Sequence, residues 1–436
     1  MSISAVPRTY LDHAATTPVR PEVAAQVAAD LSEGLGGWAN PAAQHASGRR
    51  VGAMLAQARA RLAAALDVDP HEVLFTSGGT EADALVVAGR ALAARAAGVS
   101  APRVVTSPLE HPAVLDSART AAGHLGAEHV EVGVDGAGLV DPASLRAAVT
   151  AGPGTALVSI MAANNETGVV QDMAGLVETV REASGARRPA DSGYVPVHSD
   201  AVAALGKTPV DFRAWGLDAM TVTGHKLGAP IGIGALVARR DLMLVAPTGG
   251  GRQERGVRSG SQDVVGARAL ALAVELAVAE RAEETGRLEV LRRRVLEGAT
   301  ALPGVHATLP EDVEHVAATA HLWFEDGDAE ALLMALDMAG IDVSAGSACH
   351  AGVTQPNHVL LAMGFDEGPA RATLRCSMGR DTSADDVERL LAALPAALES
   401  ARRAWKASRR VTHDPKKGNR NSQRQSAASK RRVICR

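Results

Sequence analysis

Short apolar runs, each closed by polar residues, alternate with longer stretches of helical spacing along the first 263 residues. The run EVLFTS at 72–77 predicts a strand. TEADALVVAGRALAARAA, which follows it, has apolar residues three and four apart, with Thr80 and Glu81 in its first turn, and predicts a helix. RVVTS, ALVSIMAA, YVPVHSD and DAMTVTG repeat the strand texture, and DMAGLVETVREASG is one of the helical stretches between them. Such alternation predicts an α/β fold with a mainly parallel sheet covered by helices. Ligands of these sheets bind beyond the C-terminal strand ends. The polar residues that close the runs should therefore converge there: 77–80, Glu110, His111, 164–166, Asp200, His225 and Lys226.

From Val264 the texture changes to a long helical stretch, then strands such as ATAHLWFE and a further helix, AEALLMALDMAG. This predicts a smaller α+β domain over 264–400 beside a large domain over 16–263. The last 36 residues, from Ala401, carry 13 Lys or Arg and a single acid, a net of +12 against −4 for the whole chain. Being nearly free of apolar residues, the segment 401–436 reads as a disordered basic tail, either a solvated appendage or a contact for nucleic acid or a partner.

Composition narrows the functions. Hydrophobic residues make up 46% of the chain and charged residues 22%, as in soluble globular proteins, while aromatics at 2% argue against a base-stacking nucleic-acid platform. The N-terminus has no apolar signal region and no uncharged run is long enough to span a membrane, so the expected location is the cytoplasm. Cys349, Cys376 and Cys435 are too few and scattered for a disulfide framework, and no CxxC pair suggests a metal.

The Gly-rich turn TSGGTEAD at a strand-to-helix junction suits a phosphate, although a glycine turn made for packing reads the same. ALGKTP is no nucleotide-binding loop, because Ala201 stands where that motif needs its first glycine, and GGGRQERG lacks the Lys-Ser/Thr ending. It reads as a loop beside the site. Lys226, in TGHKLG at a strand end near the phosphate turn, can form a Schiff base with an aldehyde, and pyridoxal phosphate is a phosphorylated aldehyde used as an electron sink. Asp200, closing VPVHSD, is placed to keep a ring nitrogen protonated, and His111 in LEHPAV to stack and shuttle protons.

YLDHAATTPV, FTSGGTEAD, EHPAVL, NNETGVVQD, HSDAVAALGK, TGHKLGAPIGIGAL, GGGRQERGVRSGS, VSAGSACHAG and LRCSMGR follow one another in an order and spacing that resemble the cysteine desulfurases of the NifS/IscS type, over about 10–394. The resemblance implies a fold-type I pyridoxal-phosphate-dependent transferase, working as a homodimer, with residues 1–15 joining the small domain. It implies removal of sulfur from L-cysteine to give alanine and an enzyme-bound persulfide, passed to an acceptor protein for iron-sulfur cluster assembly, tRNA thiolation or biosynthesis. By this resemblance Lys226 is the Schiff-base lysine, which also moves the α-proton, Asp200 the ring-nitrogen partner and His111 the stacked acid/base residue. Gly79, Thr80, Thr223 and His225 match the phosphate ligands, with Ser261 from the other subunit, where the family usually has threonine. Asn165 matches the residue beside cofactor and substrate, Arg375 the substrate-carboxylate arginine and Cys349 the sulfur acceptor. Cys376, on a strand, reads as buried and inert, and Cys435 as an incidental tail thiol.

One position departs from the pattern: Ala203 stands where the family usually has a glutamine that hydrogen-bonds the cofactor's phenolic oxygen. A selenocysteine lyase or another class V lyase or aminotransferase is the alternative enzyme reading, and a weakly active persulfide-relay or scaffold protein the non-enzyme one. Cys349 weighs against an aminotransferase, which needs no thiol. Ala203 favours reduced activity.

Overall fold

The computed structural model describes residues 8–34, 39–152, 154–346, 349–350 and 353–412, with backbone alone at 349–350, 353–354 and 408–412. A short strand, β1 (Thr9–Tyr10), leads through a strap to helices α1 (Pro21–Ser32) and α2 (Ala46–Ala65). Then β2 (Val73–Thr76), α3 (Gly79–Ala96), β3 (Arg103–Thr106), α4 (Pro112–Leu125), β4 (Glu128–Glu131), α5 (Pro142–Thr150), β5 (Thr155–Ser159) and α6 (Met173–Ser184) alternate as the pattern predicts. Strands β6 (Val197–Asp200), β7 (Ala219–Thr223) and β8 (Gly234–Ala238) complete the sheet.

The sheet has seven strands in the order β2-β8-β7-β6-β5-β3-β4. All pairs are parallel except those of β8, which runs antiparallel to β2 and β7. The segment 224–233 between β7 and β8 holds no crossover helix, and a strand joined so directly to its neighbour returns antiparallel. Every residue of β2, β5, β6, β7 and β8 is buried, as expected of strands covered on both faces. Gly234 is needed for close approach: a Cβ there would lie 2.8 Å from the backbone of Gly78, in the turn before α3.

The remaining chain forms α7 (Val264–Thr300), β9 (Val305–Ala307), β10 (Thr319–Phe324), α8 (Ala329–Met338), β11 (Ile341–Asp342), the pair β12 (Cys349–His350) and β13 (Val353–Thr354), α9 (His358–Ala362), α10 (Glu367–Arg371), β14 (Thr373–Ser377) and α11 (Ala384–Thr412). Its main sheet is antiparallel, in the order β14-β10-β9. Strand β1 pairs with β11, and Ser377 N–H donates to Leu11 O at 2.8 Å, so the first described residues lie in this smaller half. Helix α7 belongs to both halves. Near its start, Arg268 pairs with Asp30 of α1 at 2.8 Å and Glu275 with Arg61 of α2. Towards its end, Arg292 donates to Thr319 O at 3.0 Å and Arg294 pairs with Glu388 at 2.6 Å.

The expectation of disorder from Ala401 onward needs correction. Helix α11 runs on to Thr412, with Ala401 fully buried and Trp405 Nε1 donating to Asp326 at 3.2 Å. Ala, Arg and Lys are good helix formers, so a packed helix carries through this polar stretch once Ala401 and Trp405 anchor it. Residues 413–436, including Cys435, lie outside the described residues. Among the described residues no helix is long and apolar enough to cross a membrane.

Candidate active site

Strands β6 and β7 pair with Asp200 opposite Thr221, so Asp200 and Thr223 close neighbouring strands at one sheet edge. Beyond Thr223 the chain makes a closed turn. Gly224 N–H donates to Ile233 O at 3.0 Å, while Leu227 and Ala229 both donate to Gly224 O, at 2.9 and 3.0 Å. The strap before α1 fastens this turn from outside through Thr17 N–H to His225 O at 3.0 Å and Arg20 N–H to Gly228 O at 2.9 Å. Lys226 is therefore presented from a rigid loop. Burial lowers its ammonium pKa, with Arg375 acting the same way and Asp200 opposing.

Two helix N-termini face the same region. Gly78 precedes α3 without a capping side chain, and the carboxylate of Glu81 takes the Ser77 N–H. A Cβ on Gly79 would lie 3.1 Å from Val202 Cγ2, so glycine keeps this wall open. Close by, Thr223 Oγ1 is buried with no hydrogen-bond partner. His111 caps α4 by accepting the Ala113 N–H on Nδ1 at 3.1 Å, which leaves the proton of the neutral ring on Nε2. Burial holds that ring neutral by lowering its pKa, helped by Lys226 and His358 and opposed by Asp200.

These elements enclose a cavity of about 360 Å³, lined by Gly79, Thr80, Asp83, His111, Asn165, Glu166, Asp200, Ala203, Thr223, His225, Lys226 and Arg375, among others. Asp200 accepts the Val202 N–H at 2.8 Å; burial raises its pKa, while that hydrogen bond, His111 and Lys226 lower it. Burial raises Asp83 and Glu110 well above the usual carboxylate range. His225 shares a hydrogen bond with Thr16 Oγ1 at 3.2 Å.

Arg375, on β14, closes the cavity from the smaller half. It donates from Nη1 to Asn165 O at 3.0 Å and Glu166 Oε1 at 3.1 Å, and from Nη2 to Asp12 Oδ1 at 3.0 Å. Its Nε–H is buried and has no hydrogen-bond partner.

The structure thus gathers Gly79, Thr80, His111, Asn165, Asp200, Thr223, His225, Lys226 and Arg375 around one cavity, together with the alanine at 203. Ser261 is exposed and outside the lining. The Cys349 side chain lies outside the described residues. Cys376 is fully buried, which pushes its thiol up to about 12. Two lining or clamping acids escaped the sequence reading, Asp12 in YLDHAATTPV and Asp83 in GGTEAD. Their only sequence signal is membership of motifs whose neighbours carry the site.

The donor set fits pyridoxal phosphate. A buried lysine whose ammonium is disfavoured, an acid at the adjacent strand end, and an unpaired buried hydroxyl beside an uncapped Gly-Thr turn are the groups its aldehyde, ring nitrogen and phosphate require. Fold and site together define a fold-type I pyridoxal-phosphate-dependent enzyme. The chain belongs to the aminotransferase class-V family, whose model matches residues 9–390. It is 43% identical over 396 residues to an IscS-like cysteine desulfurase of Mycobacterium tuberculosis, covering 91% of this chain and 97% of that protein. It is 35% identical over 393 residues to the cysteine desulfurase IscS of Methanosarcina thermophila, covering 90% and 92%. Among solved structures, a NifS-like protein superposes with a TM-score of 0.80 at 30% identity, covering 90% of this chain and all of that one.

Proposed function

We propose that the protein is a cysteine desulfurase, taking sulfur from L-cysteine to leave L-alanine and a persulfide on Cys349. The observation that carries this reading is the convergence of Lys226, Asp200 and the unpaired Thr223 hydroxyl with a carboxylate-binding arginine, Arg375, around a single cavity. Gly79, Thr80, Thr223 and His225 would hold the cofactor phosphate, with Ser261 reaching in from a second subunit of a homodimer. Asp200 would sit at the ring nitrogen, His111 over the ring and Asn165 beside it. Bound there, pyridoxal phosphate supplies a ring that delocalises the electron pair left at the substrate Cα.

The chain's own groups do the rest. Arg375 binds and orients the substrate carboxylate through its guanidinium, offering it the Nη2–H now on Asp12. Lys226 Nζ, its ammonium disfavoured by burial, takes the proton from Cα. Neutral His111, whose Nδ1 is taken by the Ala113 N–H, would pass a proton through Nε2. The Cys349 thiolate attacks the substrate sulfur: an S–S bond forms, the C–S bond breaks, its electron pair remains on Cβ, which is protonated to the alanine methyl, and Lys226 returns a proton to Cα. A sulfur-acceptor protein in the cytoplasm then takes the outer sulfur.

The test is mass spectrometry after L-cysteine treatment. One added sulfur should appear on the Cys349 peptide and none on Cys376 or Cys435, with alanine released. Full activity of Cys349→Ser would assign the cavity to a lyase or transaminase instead.

A further inference from the structure

Glu166 has no part in the reaction above, yet it touches Asn165 and Arg375 of its machinery and the backbone at Gly346. Its Oε1 accepts the Asn165 Nδ2–H at 2.8 Å and an Arg375 Nη1–H at 3.1 Å, so one oxygen steadies both residues expected against the substrate. Its Oε2 is buried without a hydrogen-bond partner. What lies against that oxygen is Gly346, where a Cβ would come 2.4 Å from Oε2 and 2.7 Å from Asn357 Nδ2. Asn357 Nδ2 also donates to Gly346 O at 3.1 Å, and Gly346 has φ of +60°, a conformation that glycine adopts without strain. Gly346 stands three residues before Cys349.

We propose that Glu166 is a positioning residue that couples the substrate-carboxylate clamp at Arg375 to the backbone at Gly346, three residues before Cys349. This deepens the desulfurase reading and rests on it. Sulfur transfer requires the substrate, held through Arg375, and the Cys349 sulfur to be aligned, and small misplacements of reacting atoms are costly. Glu166 contacts the clamp's guanidinium on one side and Gly346 on the other, beside the backbone bonds that pair Arg375 with Ser344. A buried carboxylate is unfavourable unless paired, and Arg375 pairs it. Burial also raises the Glu166 carboxyl pKa, with Arg375, His358 and Lys226 opposing and Asp12 acting the same way as burial.

The experiment uses the full chain loaded with pyridoxal phosphate and compares wild type, Glu166→Gln, Glu166→Ala and Gly346→Ala. It measures KM and kcat for alanine formation from L-cysteine. It also measures the rate of Cys349 alkylation by iodoacetamide, with and without L-alanine, which offers a carboxylate but no sulfur. Glu166→Ala should raise KM by about tenfold or more, and L-alanine should no longer change Cys349 alkylation. Glu166→Gln, which keeps the Oε1 acceptor, should recover most of KM. Gly346→Ala, far from the clamp in chemistry but pressed on Oε2, should also raise KM, which keeps the proposal testable if Glu166→Ala does not fold. Variants that lose thermal stability but keep wild-type KM and alkylation would show a merely structural role and overturn it. A wild type that makes no alanine from L-cysteine fails the desulfurase reading itself, a result distinct from active variants that match wild type.

Discussion

Asp200 lies opposite Thr221 in the parallel β6–β7 pair, and this register sets the acid beside the turn that carries Lys226. The two side chains act on each other electrically, each shifting the other towards its charged form against burial. Lys226→Ala should therefore lose both the visible absorbance that pyridoxal phosphate gives on binding and all alanine formation. Asp200→Asn should keep the colour and lower kcat by about a hundredfold or more, since the ring nitrogen loses its anionic partner. Absorbance titration and an alanine assay on both variants check this.

Thr223 offers a test free of turnover. Its hydroxyl is buried and unpaired in the protein alone, so Thr223→Val should leave the stability of the cofactor-free protein unchanged or raise it by about 1 kcal/mol. The same change removes a donor to a charged phosphate and should weaken pyridoxal phosphate binding by roughly tenfold or more. Cofactor titration beside thermal melts of the cofactor-free protein separates the two effects, and unchanged affinity would remove Thr223 from the phosphate site.

Ala203 lines the cavity and is buried, leaving an apolar wall where the resembled family places an amide. Ala203→Gln should restore one hydrogen bond, on the order of 1 kcal/mol, and raise cofactor occupancy or turnover several-fold. A lower rate would mean that the present pocket already satisfies the cofactor oxygen in another way.

His321, on β10 opposite Arg375, is 3% exposed and donates or accepts only through Nδ1, to Thr308 Oγ1 at 2.8 Å. Burial lowers its pKa from 6.5 to about 3, with Arg375 acting the same way. The folded state thus holds it neutral while the unfolded chain protonates near 6.5. Its contribution is fully present above that value and is lost as pH falls towards about 3. The stability difference between wild type and His321→Gln should shrink by roughly 1.4 kcal/mol per pH unit between about pH 6 and pH 4. Urea unfolding of both proteins across this range measures it, and a constant difference would mean that His321 titrates normally in the fold.

Much of the site was legible because its residues close strands. A run such as VPVHSD marks where a buried strand meets solvent, and in a parallel sheet those ends share one edge, so Asp200, His111 and Lys226 could be brought together from local texture alone. The direction of β8 was not legible: GALVA is equally apolar in either orientation, and its hydrogen bonds to β2 and β7 settle it. Nor was the meeting of Asp12 with Arg375, 363 residues apart, because no local pattern encodes a contact between chain ends. The helical course to Thr412 was hidden by composition, since the sparse apolar residues that hold it count for little in an average over a basic tail.

Helix α7 has a mechanical meaning. At about 1.5 Å per residue it is a rod of roughly 55 Å, tied at one end to the helices over the large sheet and at the other to the antiparallel sheet that carries Arg375. Hinged closure needs a few residues whose backbone angles can change freely, and an unbroken helix provides none along its length. The two walls of the cleft are therefore braced by one continuous helix, as by a spar. With no hinge along α7, widening that admits an amino acid falls to shifts of loops and straps at the rim and to sliding of packed helices, and the spacing of Lys226 and Arg375 acts as a ruler for the molecule that fits between them.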